Sequence, residues 1–151
     1  MEKEKKYKKE CEVCSQIIDV DVYGQGGCPN CGWWNCFLNE ENPSRIAMPN
    51  LVSLNKAIKL YKEGKPFEPN FDEFIEDLHS YGEMQFVYNG VLYAVELVCD
   101  EDKKTKIQLF NSQTKQSQFF ENNNEFKNNA KIGSEYLRNI WEQTTDRYWL
   151  Q

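Results

Sequence analysis

The segments Cys11-Glu12-Val13-Cys14-Ser15 and Cys28-Pro29-Asn30-Cys31-Gly32 decide how the first part of the chain must fold. Each holds a C-x2-C pair, and thirteen residues separate the two pairs. A C-x2-C turn sets two thiols on the same side of a tight bend, so two such turns close four sulfurs into a tetrahedron around one ion. Residues 1–10 are rich in Lys and Glu with no apolar stretch behind them, so no secretory leader is expected. In the cytoplasmic setting this implies, the spacing favours metal over disulfides. The expected ion is zinc, held by Cys11, Cys14, Cys28 and Cys31, although a four-thiolate tetrahedron also accepts iron. Four protein ligands leave no open position, which makes the metal structural. Cys36 lies five residues past Cys31 without a knuckle partner, so either it substitutes for a ligand or it joins Cys99 as a small apolar core residue.

Between the pairs, Ile17, Ile18, Val20 and Val22 predict a strand, and Gly24, Gly26 and Gly27 supply the turn back to Cys28. Gly32 suits a backbone position of positive φ after the second knuckle. Trp33, Trp34 and Phe37 follow it, and a ribbon this small needs them to dock it on the rest of the protein. A base-stacking platform is the alternative. The second knuckle resembles those of zinc ribbons and rubredoxin-like proteins; the first departs from that pattern by carrying Ser15 where a glycine is usual.

Working outward, residues 1–10 read as a charged tail, 11–37 as the ribbon, 38–49 as a connector marked by Pro43 and Pro49, and 50–151 as an acidic α+β domain. Ser53 caps an expected helix to about Lys62, and Asn70 caps another in which Phe71, Phe74, Ile75 and Leu78 share a face. After Gly82 the period changes to two. Asn89-Gly90 turns a hairpin, and strands are expected near residues 106–110 and 116–120. Residues 122–129 read as loop or frayed helix, and Tyr136, Leu137, Ile140 and Trp141 as the stripe of a terminal helix. The expected fold class is therefore α+β: an N-terminal zinc ribbon, two helices, a three- to four-stranded antiparallel sheet and a C-terminal helix.

The net charge of −6 is unevenly placed. Residues 1–64 are neutral, while 68–102 hold ten carboxylates and no Lys or Arg. That stretch suits a basic partner, with Asp72, Glu73, Glu76 and Asp77 on one helix as candidate contacts. The acidity argues against direct nucleic-acid binding. A lone His79, and the lack of any nucleophile elbow, phosphate loop or H-E-x-x-H, point away from an enzyme.

The motifs Tyr81-Gly82-Glu83, Phe86-x-Tyr88-Asn89-Gly90-x-x-Tyr93 and Ile132-Gly133-x-x-x-Leu137-x-x-Ile140-Trp141 resemble small proteins of low-GC Gram-positive bacteria and their phages. Fifteen Lys against three Arg, with fifteen Asn, agree with an AT-rich source. The whole is similar in kind to anti-CRISPR and toxin-immunity proteins. This resemblance implies a non-enzymatic inhibitor of a basic nucleic-acid-handling target such as a Cas nuclease. The alternatives are a nucleic-acid-binding ribbon accessory using residues 3–9 with Trp33 and Trp34, and an immunity protein for a cognate toxin.

Overall fold

A computed structural model describes residues 5–150; the start of the expected tail, residues 1–4, lies outside them. The chain divides into two compact units, Met1–Glu68 and Pro69–Gln151.

In the first unit, β1 (Tyr7–Glu10) pairs antiparallel with β2 (Ile17–Val20). The end of the expected tail is thus a strand, held by the ladder and by Lys8 Nζ at 2.5 Å from Asp19 Oδ1 directly opposite. Ile18 and Val20 turn inward and Ile17 and Asp19 outward, the period of a half-buried strand. A second ribbon pairs β3 (Gly26–Gly27) with β4 (Trp34–Asn35). A Cβ added at Gly26 would meet Asp19 O at 2.6 Å, so the close approach of the two ribbons requires glycine there. The segment read as a connector contains a short helix, α1 (Phe37–Glu41).

Helix α2 (Leu54–Lys62) starts where Ser53 Oγ accepts from Lys56 N at 3.2 Å. Its Leu54, Ala57 and Leu60 join Cys11, Val13, Ile18, Val20, Cys28, Trp33 and Val52 in one core. This helix was expected to open the acidic domain; instead it completes the N-terminal unit, and the boundary falls after Glu68 rather than at residue 50. The physical reason is area. Strands of two to four residues bury too little apolar surface to stand alone, and the apolar stripe of α2 supplies the missing layer.

The second unit opens with α3 (Phe71–Tyr81). Asn70 Oδ1 accepts from Glu73 N at 2.8 Å and Glu73 Oε1 accepts from Asn70 N at 3.2 Å, a reciprocal capping box. The strands β5 (Glu83–Tyr88), β6 (Val91–Cys99), β7 (Thr105–Asn111) and β8 (Ser117–Phe120) follow. Asn89 and Gly90 take φ of +49° and +76°, as the hairpin turn demands. Then come α4 (Asn123–Asn129), the small pair β9 (Lys131–Ile132) and β10 (Glu135–Tyr136), the single turn α5 (Leu137–Ile140), a 3-10 turn and β11 (Thr145–Leu150).

The sheet is antiparallel, in the order β11-β5-β6-β7-β8. It has five strands where three to four were expected, and the chain closes on β11, not on a helix. The terminal stripe is real, since Leu137, Ile140 and Trp141 are buried, but its helix lasts one turn. One sheet face carries Met84, Phe86, Val95, Leu109 and Trp149 into a core with Phe74, Phe126 and Trp141. There Trp141 stacks on Phe74 at 4.4 Å between centroids. The architecture is mixed α+β. Among the described residues no helix is long and apolar enough to cross a membrane.

Candidate metal centre

Both knuckles are built alike. Cys11 N donates to Gln16 O (2.7 Å) and Ser15 N to Cys11 O (2.9 Å); Cys28 N donates to Trp33 O (2.9 Å) and Gly32 N to Cys28 O (2.8 Å). The residue after each second cysteine lies in the left-handed region, Ser15 at φ +65° and Gly32 at φ +82°. The first knuckle therefore adopts the glycine conformation without the glycine.

These turns bring the four predicted sulfurs together. Cys11 and Cys31 Sγ are 3.7 Å apart, Cys14 and Cys28 Sγ 3.5 Å, and all four lie within 4.8 Å of one another. A tetrahedral ion with metal–sulfur bonds near 2.3 Å sets neighbouring sulfurs about 3.8 Å apart. The donor set fits a metal ion. Crowding also divides the thiols by acidity. Burial opposes ionisation of Cys14, but hydrogen bonds to Asn30 and to the Gln16 backbone outweigh it and bring its thiol down to about 7. Burial pushes Cys28 and Cys31 up, and at Cys31 the three neighbouring sulfurs add to this. A bound cation overrides that division, since metal-bound thiols are deprotonated outright.

Residues that the cysteine spacing does not announce surround the cluster. Asn35 is fully buried; its Nδ2 lies 3.5 Å from Cys11 Sγ and 3.4 Å from Trp33 O, and its Oδ1 accepts from Glu12 N at 2.8 Å. Glu12 Oε2 accepts from Trp33 Nε1 and Oε1 from Lys9 Nζ, both at 3.2 Å, and Lys9 also pairs with Glu40. Burial pushes the Glu12 carboxyl up, against those two donors. Such outer groups orient ligands. Nothing in the sequence around Asn35 or Glu12 announces this role.

Trp33 is 1% exposed and meets Phe67 edge-on at 5.7 Å, so it docks within its own unit and offers no stacking face. Trp34 is half-buried, with its backbone held by the Asn50 amide. Phe37, expected to dock, is instead exposed. Cys36 is buried outside the four-sulfur group and accepts from Asn39 Nδ2 at 3.0 Å; Cys99 is exposed, against the expectation of a core residue. Of the helix carboxylates, Asp72 pairs with Lys127 at 2.5 Å, Glu73 serves the capping box, and Glu76 stands exposed. His79 lies in the last turn of α3 with Nε2 at 2.6 Å from Asn123 Oδ1.

The fold and site define a mixed α+β chain whose N-terminal unit carries a four-cysteine cluster able to hold a metal ion. No family model matches the chain, and no solved structure matches it. A stretch of 67 residues, 44% of the chain, is 33% identical to Elongator complex protein 3 of Saccharomyces cerevisiae. It covers 11% of that protein, so the chain spans about a tenth of the length of this curated relative.

Proposed function

We propose that the chain is a non-enzymatic, zinc-stabilised inhibitor that binds a basic, nucleic-acid-handling protein through its acidic C-terminal unit. The observation that carries this reading is that charge follows the fold. Residues 69–151 hold eight Lys or Arg against fourteen Asp or Glu, whereas residues 1–68 hold ten of each. All of the −6 therefore falls on one unit. A groove that expects phosphates presents Lys and Arg, and carboxylates compete for it. An anti-CRISPR-type protein that blocks nucleic-acid access to a Cas nuclease is the concrete form; an immunity protein for a basic toxin would use the same physics.

Zinc is the ion that suits four thiolates with no open position. Held by Cys11, Cys14, Cys28 and Cys31, it would supply folding free energy rather than a reacting centre. The competing nucleic-acid reading loses support because Trp33 is buried and Lys8 and Lys9 are engaged with carboxylates. Mixing the chain with purified Cas nucleases on a sizing column, followed by a target-DNA loading assay, tests the proposal. A stable complex with reduced DNA loading is expected; no complex and unchanged loading rejects it.

A further inference from the structure

The helices of the C-terminal unit use one face of its sheet. On the other, Val87, Leu92, Ala94, Val98, Phe110 and Phe119 share the outward positions of β5 to β8 with Glu83, Gln85, Glu96, Lys106, Gln108 and Ser117. Leu92 is 38% and Phe119 56% exposed. The solvent side of a two-layer antiparallel sheet is ordinarily polar, whereas half of the outward positions here are apolar. On this face Glu83 and Glu96 stand directly opposite each other on β5 and β6. Neither carboxylate has an ion pair or side-chain hydrogen bond among the described residues. Like charges opposite each other destabilise a sheet. Here burial, and then the charge of Glu96, push the Glu83 carboxyl up. Lys106, on the same face, is already shared by Asp100 (3.4 Å) and Glu121 (3.2 Å).

We infer that this sheet face, centred on Glu83 and Glu96, is the docking surface for the partner, and that the occupant lays an arginine or lysine against the two carboxylates with apolar side chains on either side. The inference rests on the basic-target reading above and replaces the α3 carboxylates, two of which are already engaged, as its contact site. Charge complementarity selects the occupant. A second copy of the chain would add two more carboxylates to the pair, and phosphates would be repelled by it. An arginine removes the repulsion as it binds, while the apolar side chains among the polar ones contribute burial.

The test uses the full zinc-loaded chain, labelled for amide spectra, and an amphipathic helical peptide with one arginine between leucines; the control peptide carries glutamate in place of the arginine. The expected result is that the arginine peptide shifts the amides of Gln85, Ala94, Glu96 and Gln108, with the control binding roughly tenfold more weakly or worse. The double variant Glu83→Gln/Glu96→Gln should lose affinity roughly tenfold while melting no lower than the parent chain. Shifts confined to α3, equal binding of both peptides, absence of binding, or self-association through the same amides would each overturn the surface. The double variant also separates this inference from the broader reading. A nuclease complex that forms equally well with it refutes the surface alone, whereas the absence of any nuclease complex refutes the basic-target reading.

Discussion

Ser15 and Gly32 occupy equivalent places in the two knuckles, both with positive φ, yet only one is glycine. An L-residue in this region costs about 1–2 kcal/mol, offset by about 0.5–1 kcal/mol because glycine loses more freedom on folding. Ser15→Gly should therefore stabilise the metal-bound unit by about 0.5–1 kcal/mol. Gly32→Ala should destabilise it by a similar amount or slightly more. A Cβ at Gly32 meets nothing within 4 Å, so no steric clash adds to the backbone cost. Since 1.4 kcal/mol is about a factor of ten in an equilibrium constant, zinc affinity should rise about two- to fivefold in the first variant and fall by a similar factor in the second. Competition with a chromophoric chelator reads both. The double variant should return close to the parent value, because the two turns strain independently. If Ser15→Gly weakened zinc binding, or Gly32→Ala left it unchanged, the equivalence of the two turns would be wrong.

Asn35→Ala strips a buried partner from Glu12 N and from Cys11 Sγ, and should cost the N-terminal unit about 2 kcal/mol, measured by urea unfolding followed through Trp33 and Trp34. Asn70→Ala breaks the capping box of α3 and should lower the stability of the C-terminal unit by about 1 kcal/mol while zinc affinity stays unchanged. Glu96→Gln should raise the stability of that unit at neutral pH by about 0.5 kcal/mol, a figure kept small because Glu83 is largely solvated. The sign with pH follows from the raised Glu83 carboxyl: its protonated form is favoured by the fold, so the penalty is absent below the unfolded value near 4.5 and grows as pH rises through the folded one. Melting temperatures of parent and variant should therefore converge on acidification.

What the sequence revealed was local. The C-x2-C pairs needed only their spacing, α2 and α3 only their caps and apolar stripes, and the Asn89-Gly90 hairpin only its turn chemistry. What it hid depends on partners distant in the chain. Lys8 and Lys9 have weak strand preference, and β1 forms because β2 pairs with it. Strand β11 pairs with β5 some sixty residues away, so its short run after Trp141 gave no signal of its own. The apolar stripe of α2 was readable, but not that it faces Cys11 and Trp33 instead of the sheet. At the metal centre the ligands were legible, while Asn35 and Glu12 were not, because an ordinary Asn or Glu gains its role only once buried beside sulfur and indole.

The account depends most on a metal that holds the first unit together while the acidic unit stands on its own core. Structural zinc contributes about 10–16 kcal/mol in small domains, as much as or more than the 5–15 kcal/mol that stabilises a typical fold. Amide hydrogen exchange on the full chain, before and after chelation and alongside elemental analysis, measures this directly. The prediction is one zinc per chain, and on its removal loss of protection across residues 7–62 with β5, β6 and β7 still protected. Undiminished protection of residues 7–62 without metal, or collapse of both units together, would contradict it.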